Sequence, residues 1–165
     1  MFGIEKLFLL MNGMLAANPG IDTSLSGSTG VIAFINSKLL VVGSIGDSRA
    51  FLYKKASPSD SPNQSQGMNL TSIELTKIHT PYDPQEAERI KLRGGDIRPA
   101  ATSEGEEIGP LRVWQGKSKF PGLMMTRSFG DKMGHGCGMN CVPCKRYIIQ
   151  LCTLESSQKE TMLLY

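Results

Sequence analysis

The stretch Leu39–Tyr53, LLVVGSIGDSRAFLY, sets two apolar runs on either side of a Gly-Asp-Ser-Arg tetrapeptide, Gly46 to Arg49. Short apolar runs rich in Val, Ile and aromatics, bounded by glycine, predict buried strands. The chain is therefore built on sheet, with two strands meeting at Gly46–Arg49. An aspartate and an arginine are out of place in core strand. Either the pair makes the turn, with Asp47 bonding its own backbone, or the strands hold a carboxylate at a site. On this stretch alone both readings stay open.

The neighbouring segments extend the pattern. Val31 to Ile35 (VIAFI) predicts a strand, with Asn36–Lys38 as the turn into Leu39. Upstream, Leu7, Phe8, Leu10, Met11, Met14 and Leu15 recur at three- and four-residue spacing and predict a helix that ends at Pro19-Gly20. Ala56 to Asn69 is mostly Ser, Pro, Asn and Gln and predicts a surface loop. Ser72 to Thr80 predicts a strand. Asp83 to Gly94 carries the strongest helix signal. Asp83 caps it, Pro84 suits the first turn and Glu86 completes a capping box. Arg89, Lys91 and Arg93 favour the negative end, and Gly94 closes it. Pro99 to Pro110 predicts a loop, Leu111–Trp114 a short strand and Arg146–Leu154 another. The apolar stop at Thr161–Tyr165 reads as an end inside a strand.

A length of 165 residues favours one domain, and 40% apolar with 20% charged residues is ordinary globular composition. A net charge of +3, with no basic stripe interleaved with aromatics, argues against nucleic acid. The dense apolar run Leu7–Met11 is too short to span a membrane and lacks a signal-peptide layout. The chain is accordingly expected inside the cell, in cytoplasm or nucleus, with no membrane partner. Its four cysteines, Cys137, Cys141, Cys144 and Cys152, crowd the last third, and free thiols are expected.

Three blocks in order, SGSTGVIAFINSKLLVVGSIGDSRAFLY, LTKIHTPYDPQEAERIKLRGGDI and RVWQGKSKFPGLMMTRSFGDK, resemble the metal-dependent protein phosphatases of the PP2C (PPM) type. The resemblance implies an α+β fold, an α/β sandwich of two antiparallel sheets flanked by helices. It implies hydrolysis of phosphoserine and phosphothreonine in proteins by a water bridged between two Mg²⁺ or Mn²⁺ ions, held chiefly by carboxylates. Asp47 matches the family's Gly-Asp-Ser-Arg turn, a peripheral or third-metal position. Asp131 matches the second Gly-Asp element and is expected as a site-proximal carboxylate. Ser48 and Arg49 are expected as framework, Arg127 as a buried ion-pair partner, and Thr126 stands where many members have serine.

The family's Asp-Gly-His-Gly-Gly segment, its N-terminal phosphate-binding arginine and its later Ser-Asp-Gly and Gly-Asp-Asn elements do not occur in these residues. The chain is therefore expected to be a partial domain over residues 1–165, with no catalytic residue of its own. Two divalent ions need several carboxylates to offset their charge. Little or no phosphatase activity is expected from it alone. Two alternatives stand beside this reading. One is a non-catalytic pseudophosphatase or binding module. The other is a small zinc protein using His135, Cys137, Cys141 and Cys144, since Cys141-Val-Pro-Cys144 has knuckle spacing.

Overall fold

The computed structural model describes residues 3–36, 39–55, 70–150 and 161–164. In chain order, helix α1 (Gly3–Ala17) leads to strands β1 (Gly27–Ser28), β2 (Gly30–Ile35), β3 (Leu39–Ile45), β4 (Ala50–Lys55) and β5 (Leu70–Glu74). Helix α2 (Pro84–Leu92) follows, then β6 (Asp96–Ala101), β7 (Glu107–Trp114), β8 (Pro121–Leu123) and β9 (Phe129–Gly130). Helix α3 (Lys132–Gly136), β10 (Cys144–Gln150) and β11 (Thr161–Leu164) complete the chain.

Two antiparallel sheets stack on each other, ordered β10–β3–β2 and β11–β4–β5, so that each joins strands from the first half of the chain to one from its end. Side chains alternate across a strand, so β3 faces two ways. Leu40 and Val42 meet Ala50 and Leu52 of β4, and Leu75, in the layer between the sheets. Ile45 points the other way and joins Phe8 of α1 and Cys141 under the helix. Phe8 is fully buried and stacks on Phe129 with ring centroids 5.2 Å apart. The opposite face of α1 leaves Leu7, Leu10, Met11 and Met14 exposed.

A third antiparallel sheet, β6–β7–β8, carries α2. Ile90 of α2 packs with Val113, Cys137 and Met139. Trp114 donates its indole N–H to the Arg98 carbonyl at 2.8 Å, and the Arg98 guanidinium lies 4.6 Å from the Trp114 ring centroid.

The expected α+β sandwich of antiparallel sheets with a flanking helix is observed, and the third sheet adds to it. The expected loop at Pro99–Pro110 is instead the β6–β7 hairpin. Its prolines fall where the register slips between Arg98 and Ala100, and a bulge makes no demand on a missing N–H. The strand expected over Ser72–Thr80 ends at Glu74. Beyond it the chain serves the end of the neighbouring strand. Leu75 donates to the Ala50 carbonyl, and the Thr76 hydroxyl accepts from the Ala50 N–H.

Asp83 caps α2 by accepting from Gln85 N at 2.9 Å, and Gly94 takes φ +78° after the last turn. Glu86 does not complete the capping box, because it turns inward and is 1% exposed. The predicted loop at Ala56–Asn69 and Cys152 lie outside the described residues. Among the described residues, no helix is long and apolar enough to cross a membrane.

Candidate carboxylate site

The Gly46–Arg49 turn joins β3 to β4 and lifts Asp47 into solvent. Gly46 has φ +85°, and a Cβ there would stand 2.3 Å from Thr29 Cγ2, so glycine is required twice over. Ser48 Oγ shares a 2.7 Å hydrogen bond with Thr29 Oγ1. Arg49 reaches Glu74 across the sheet at 3.8 Å, with both side chains well exposed. The expected framework roles of Ser48 and Arg49 are what the turn displays.

Asp131 sits at the start of α3 in the left-handed region, φ 45° and ψ 48°. Its N–H donates to the Ser26 carbonyl at 2.9 Å, while Lys132 N and Met133 N bind the carbonyls of Thr23 and Ser24. From its composition the polar stretch Ser24–Gly30 reads as a flexible lead-in, yet residues 23–28 are clasped against the Asp131 segment, and β1 pairs with β9 through Gly27↔Gly130. A Cβ on Gly27 would fall 2.1 Å from the Asp131 carboxylate, so the absence of a side chain there makes room for it. Asp131 is 3% exposed, and burial raises its carboxyl above the usual carboxylate range.

The segments that carry the two candidate carboxylates therefore meet at residues 27–29. Gly27 lies against Asp131, and Thr29, two residues on, holds the turn that presents Asp47.

Behind them lies an ion-pair cluster that the sequence showed only in part. Arg127 is the buried ion-pair partner expected. Its partner is Glu86, which accepts from Arg127 Nε at 3.0 Å, from Thr126 Oγ1 at 2.7 Å and from Arg89 Nη2 at 2.9 Å. Burial alone would push the Glu86 carboxyl up. The bonds from Arg127, Arg89 and Thr126 outweigh it and hold the group well below the usual range. Arg89 also donates to the Gly138 and Thr126 carbonyls, so it braces this cluster rather than the helix end.

The structure does not gather His135, Cys137, Cys141 and Cys144 into one set of ligands. His135 Nε2 faces the Ser128 carbonyl at 3.1 Å, and Cys137 Sγ donates to the Gly134 carbonyl inside the α2 core. Cys141 belongs to the separate cluster under α1, and Cys144 opens β10 opposite Ser44. Burial raises the Cys137 and Cys141 thiols above their ordinary values. Among the described residues, no group of three or more His, Cys, Asp or Glu side chains is placed to hold a metal ion. Asp47 and Asp131 thus fall short of the donor set a two-ion centre needs.

The family profile for protein phosphatase 2C matches residues 7–161, nearly the whole chain. This chain belongs to the PP2C family. Members of that family are metal-dependent protein phosphatases. The chain is 38% identical over 124 residues to "Probable protein phosphatase 2C 12" of Oryza sativa subsp. japonica, covering 75% of this chain and 28% of that protein. It is also 38% identical over 138 residues to "Probable protein phosphatase 2C 52" of Arabidopsis thaliana, covering 84% and 27%. It therefore spans little more than a quarter of the length of these two relatives. The crystal structure of serine-threonine phosphatase 2C from Toxoplasma gondii superposes with a TM-score of 0.73 at 20% identity. That match covers 98% of this chain and 48% of the other, and it establishes the shared fold. In this PP2C chain, the second and third resemblance blocks supply the Glu86 cluster and the Asp131 element, and the first supplies the Asp47 turn.

Proposed function

We propose that residues 1–165 are the central portion of a PP2C-type domain whose reaction is hydrolysis of phosphoserine and phosphothreonine esters on proteins. The observation that supports this reading is the meeting of the Asp47 turn and the Asp131 segment at residues 27–29, in a chain of the PP2C family. Mg²⁺ or Mn²⁺ are the ions that oxygen donors of this kind suit, and when bound they activate water and offset phosphoryl charge. Asp47 takes the peripheral position, exposed and free to turn toward an ion. Asp131 is a buried carboxylate that orders the adjoining backbone. The exposed polar turn and mild net charge suit a protein substrate met inside the cell.

Because the described donors do not fit a two-ion centre, a polypeptide of these residues alone is assigned little or no phosphatase activity. Hydrolysis of p-nitrophenyl phosphate by the purified chain, with Mn²⁺ and with EDTA, tests this. The expected result is no metal-dependent turnover from folded protein, and its appearance once segments carrying further carboxylate motifs are joined to both ends. Turnover by the 165 residues that vanishes in EDTA overturns the assignment of inactivity. An extended chain that binds Mn²⁺ yet hydrolyses nothing overturns the phosphatase reading.

A further inference from the structure

We infer that His79 is the positioning residue that ties the two carboxylate-bearing segments together. His79 is fully buried, and its main chain and ring both serve one atom. The Gly46 carbonyl lies 2.9 Å from the His79 N–H and 3.1 Å from His79 Nδ1. A carbonyl only accepts, so Nδ1 carries the proton and Nε2 is left as a bare lone pair. Among the described residues, that buried nitrogen has no hydrogen-bond partner. On its other side, the His79 carbonyl accepts from Thr126 N at 2.9 Å, and Thr126 opens the segment running to Asp131. Gly46 is itself wedged between Thr29 and the Arg127 carbonyl. One residue thus fixes the carbonyl before Asp47 and the amide five positions before Asp131.

A side chain that only filled space has no reason to spend its single ring N–H on a carbonyl already holding a backbone bond, while leaving its other nitrogen unsatisfied. The geometry suits a bond that matters for orientation: it sets the plane of the Gly46–Asp47 peptide, and with it the direction in which the exposed carboxylate leaves the sheet. This role rests on the reading of Asp47 as a site residue, but its test does not depend on phosphatase activity.

The experiment compares His79→Asn and His79→Gln in the full chain by amide hydrogen exchange. The Asn side-chain amide can occupy the place of Nδ1, whereas that of Gln reaches toward Nε2. In the His79→Gln variant, exchange at residue 79 and Thr126, whose amides donate to the Gly46 and His79 carbonyls, is expected to quicken about tenfold over wild type, as for one lost buried hydrogen bond. His79→Asn is expected to restore slow exchange there, and α2 is expected to be unchanged in both. Equal exchange at residue 79 and Thr126 in the two variants, or acceleration spread evenly over the chain, overturns the inference. Nitrogen NMR of the wild-type imidazole gives a second reading without any variant. The Nδ1–H tautomer is expected, and an Nε2–H tautomer overturns the proposal.

Discussion

Replacing Glu86 with Gln keeps the shape of the side chain and removes its charge. Glu86 is 1% exposed and accepts from three residues, two of them arginines whose side chains are 16% (Arg127) and 25% (Arg89) exposed. Removing one member of a buried ion pair costs about 3–5 kcal/mol, because the remaining charge is left unpaired out of water. Here each arginine keeps carbonyl partners: Val142 for Arg127, and Gly138 and Thr126 for Arg89. The lower end, about 3 kcal/mol, is therefore expected. With a urea slope of about 2 kcal/mol/M, the midpoint at pH 7 should fall by about 1.5 M. The pH dependence adds a second condition. The folded-state pKa of Glu86 is depressed, so its contribution is complete above the unfolded value and is lost as pH falls toward the depressed one. Taking an unfolded value of about 4.3, the gap between wild type and variant should be about 2 kcal/mol smaller at pH 3 than at pH 7. A midpoint shift below about 0.5 M at pH 7, or a gap that stays constant down to pH 3, would refute this account of the cluster.

Burial, and then the Arg127 charge, lower the pKa of His79 from 6.5 to about 4, so the unfolded chain takes up its proton first. Stability is then complete above pH 6.5 and should fall by about 3 kcal/mol between there and pH 4, a slope that equilibrium unfolding of His79→Asn should show reduced by about one proton. Gly46→Ala should cost about 3 kcal/mol in thermal or urea unfolding, combining a left-handed φ with the collision at Thr29. Asp47→Asn should leave stability within about 0.5 kcal/mol, since the side chain is exposed. Asp131→Asn should raise stability by about 1 kcal/mol, because a buried carboxylate with a raised pKa is costly when charged and Asn tolerates the left-handed region. Calorimetry of the two variants side by side checks both.

Much of this was legible in the residues. The strands around Gly-Asp-Ser-Arg, the capped helix at Asp83 and the ion-paired Arg127 all rest on local signals: apolar runs, a cap followed by Pro84, and an arginine in a block otherwise made for the core. What escaped is non-local. Glu86 reads as a capping-box residue because the sequence shows its distance from Asp83 and not the arginine 41 positions on. The β6–β7 hairpin was hidden by Pro99 and Pro110, which break a strand unless a bulge absorbs them. Ser24–Gly30 reads as slack because the ordering of this stretch comes from backbone bonds to the α3 entrance, which no composition reports. His79 gave no signal: nothing in "KIHT" tells which carbonyl its ring will meet.

The separation of the apolar interior into clusters has a consequence for the order of events in folding. The cluster under α2 draws its buried members from Ile90 to Met139, and the Glu86–Arg127 pair closes a loop that overlaps most of that span. The cluster under α1 waits on contacts such as Asn12 with Gly130, 118 residues apart in the chain. Loop closure grows costlier with separation. Residues 84–140 should therefore consolidate as an early cooperative unit, with β1 and α1 docking onto it late. The strip that joins Asp47 to Asp131 would then be the last part of the molecule to become native and the first to let go.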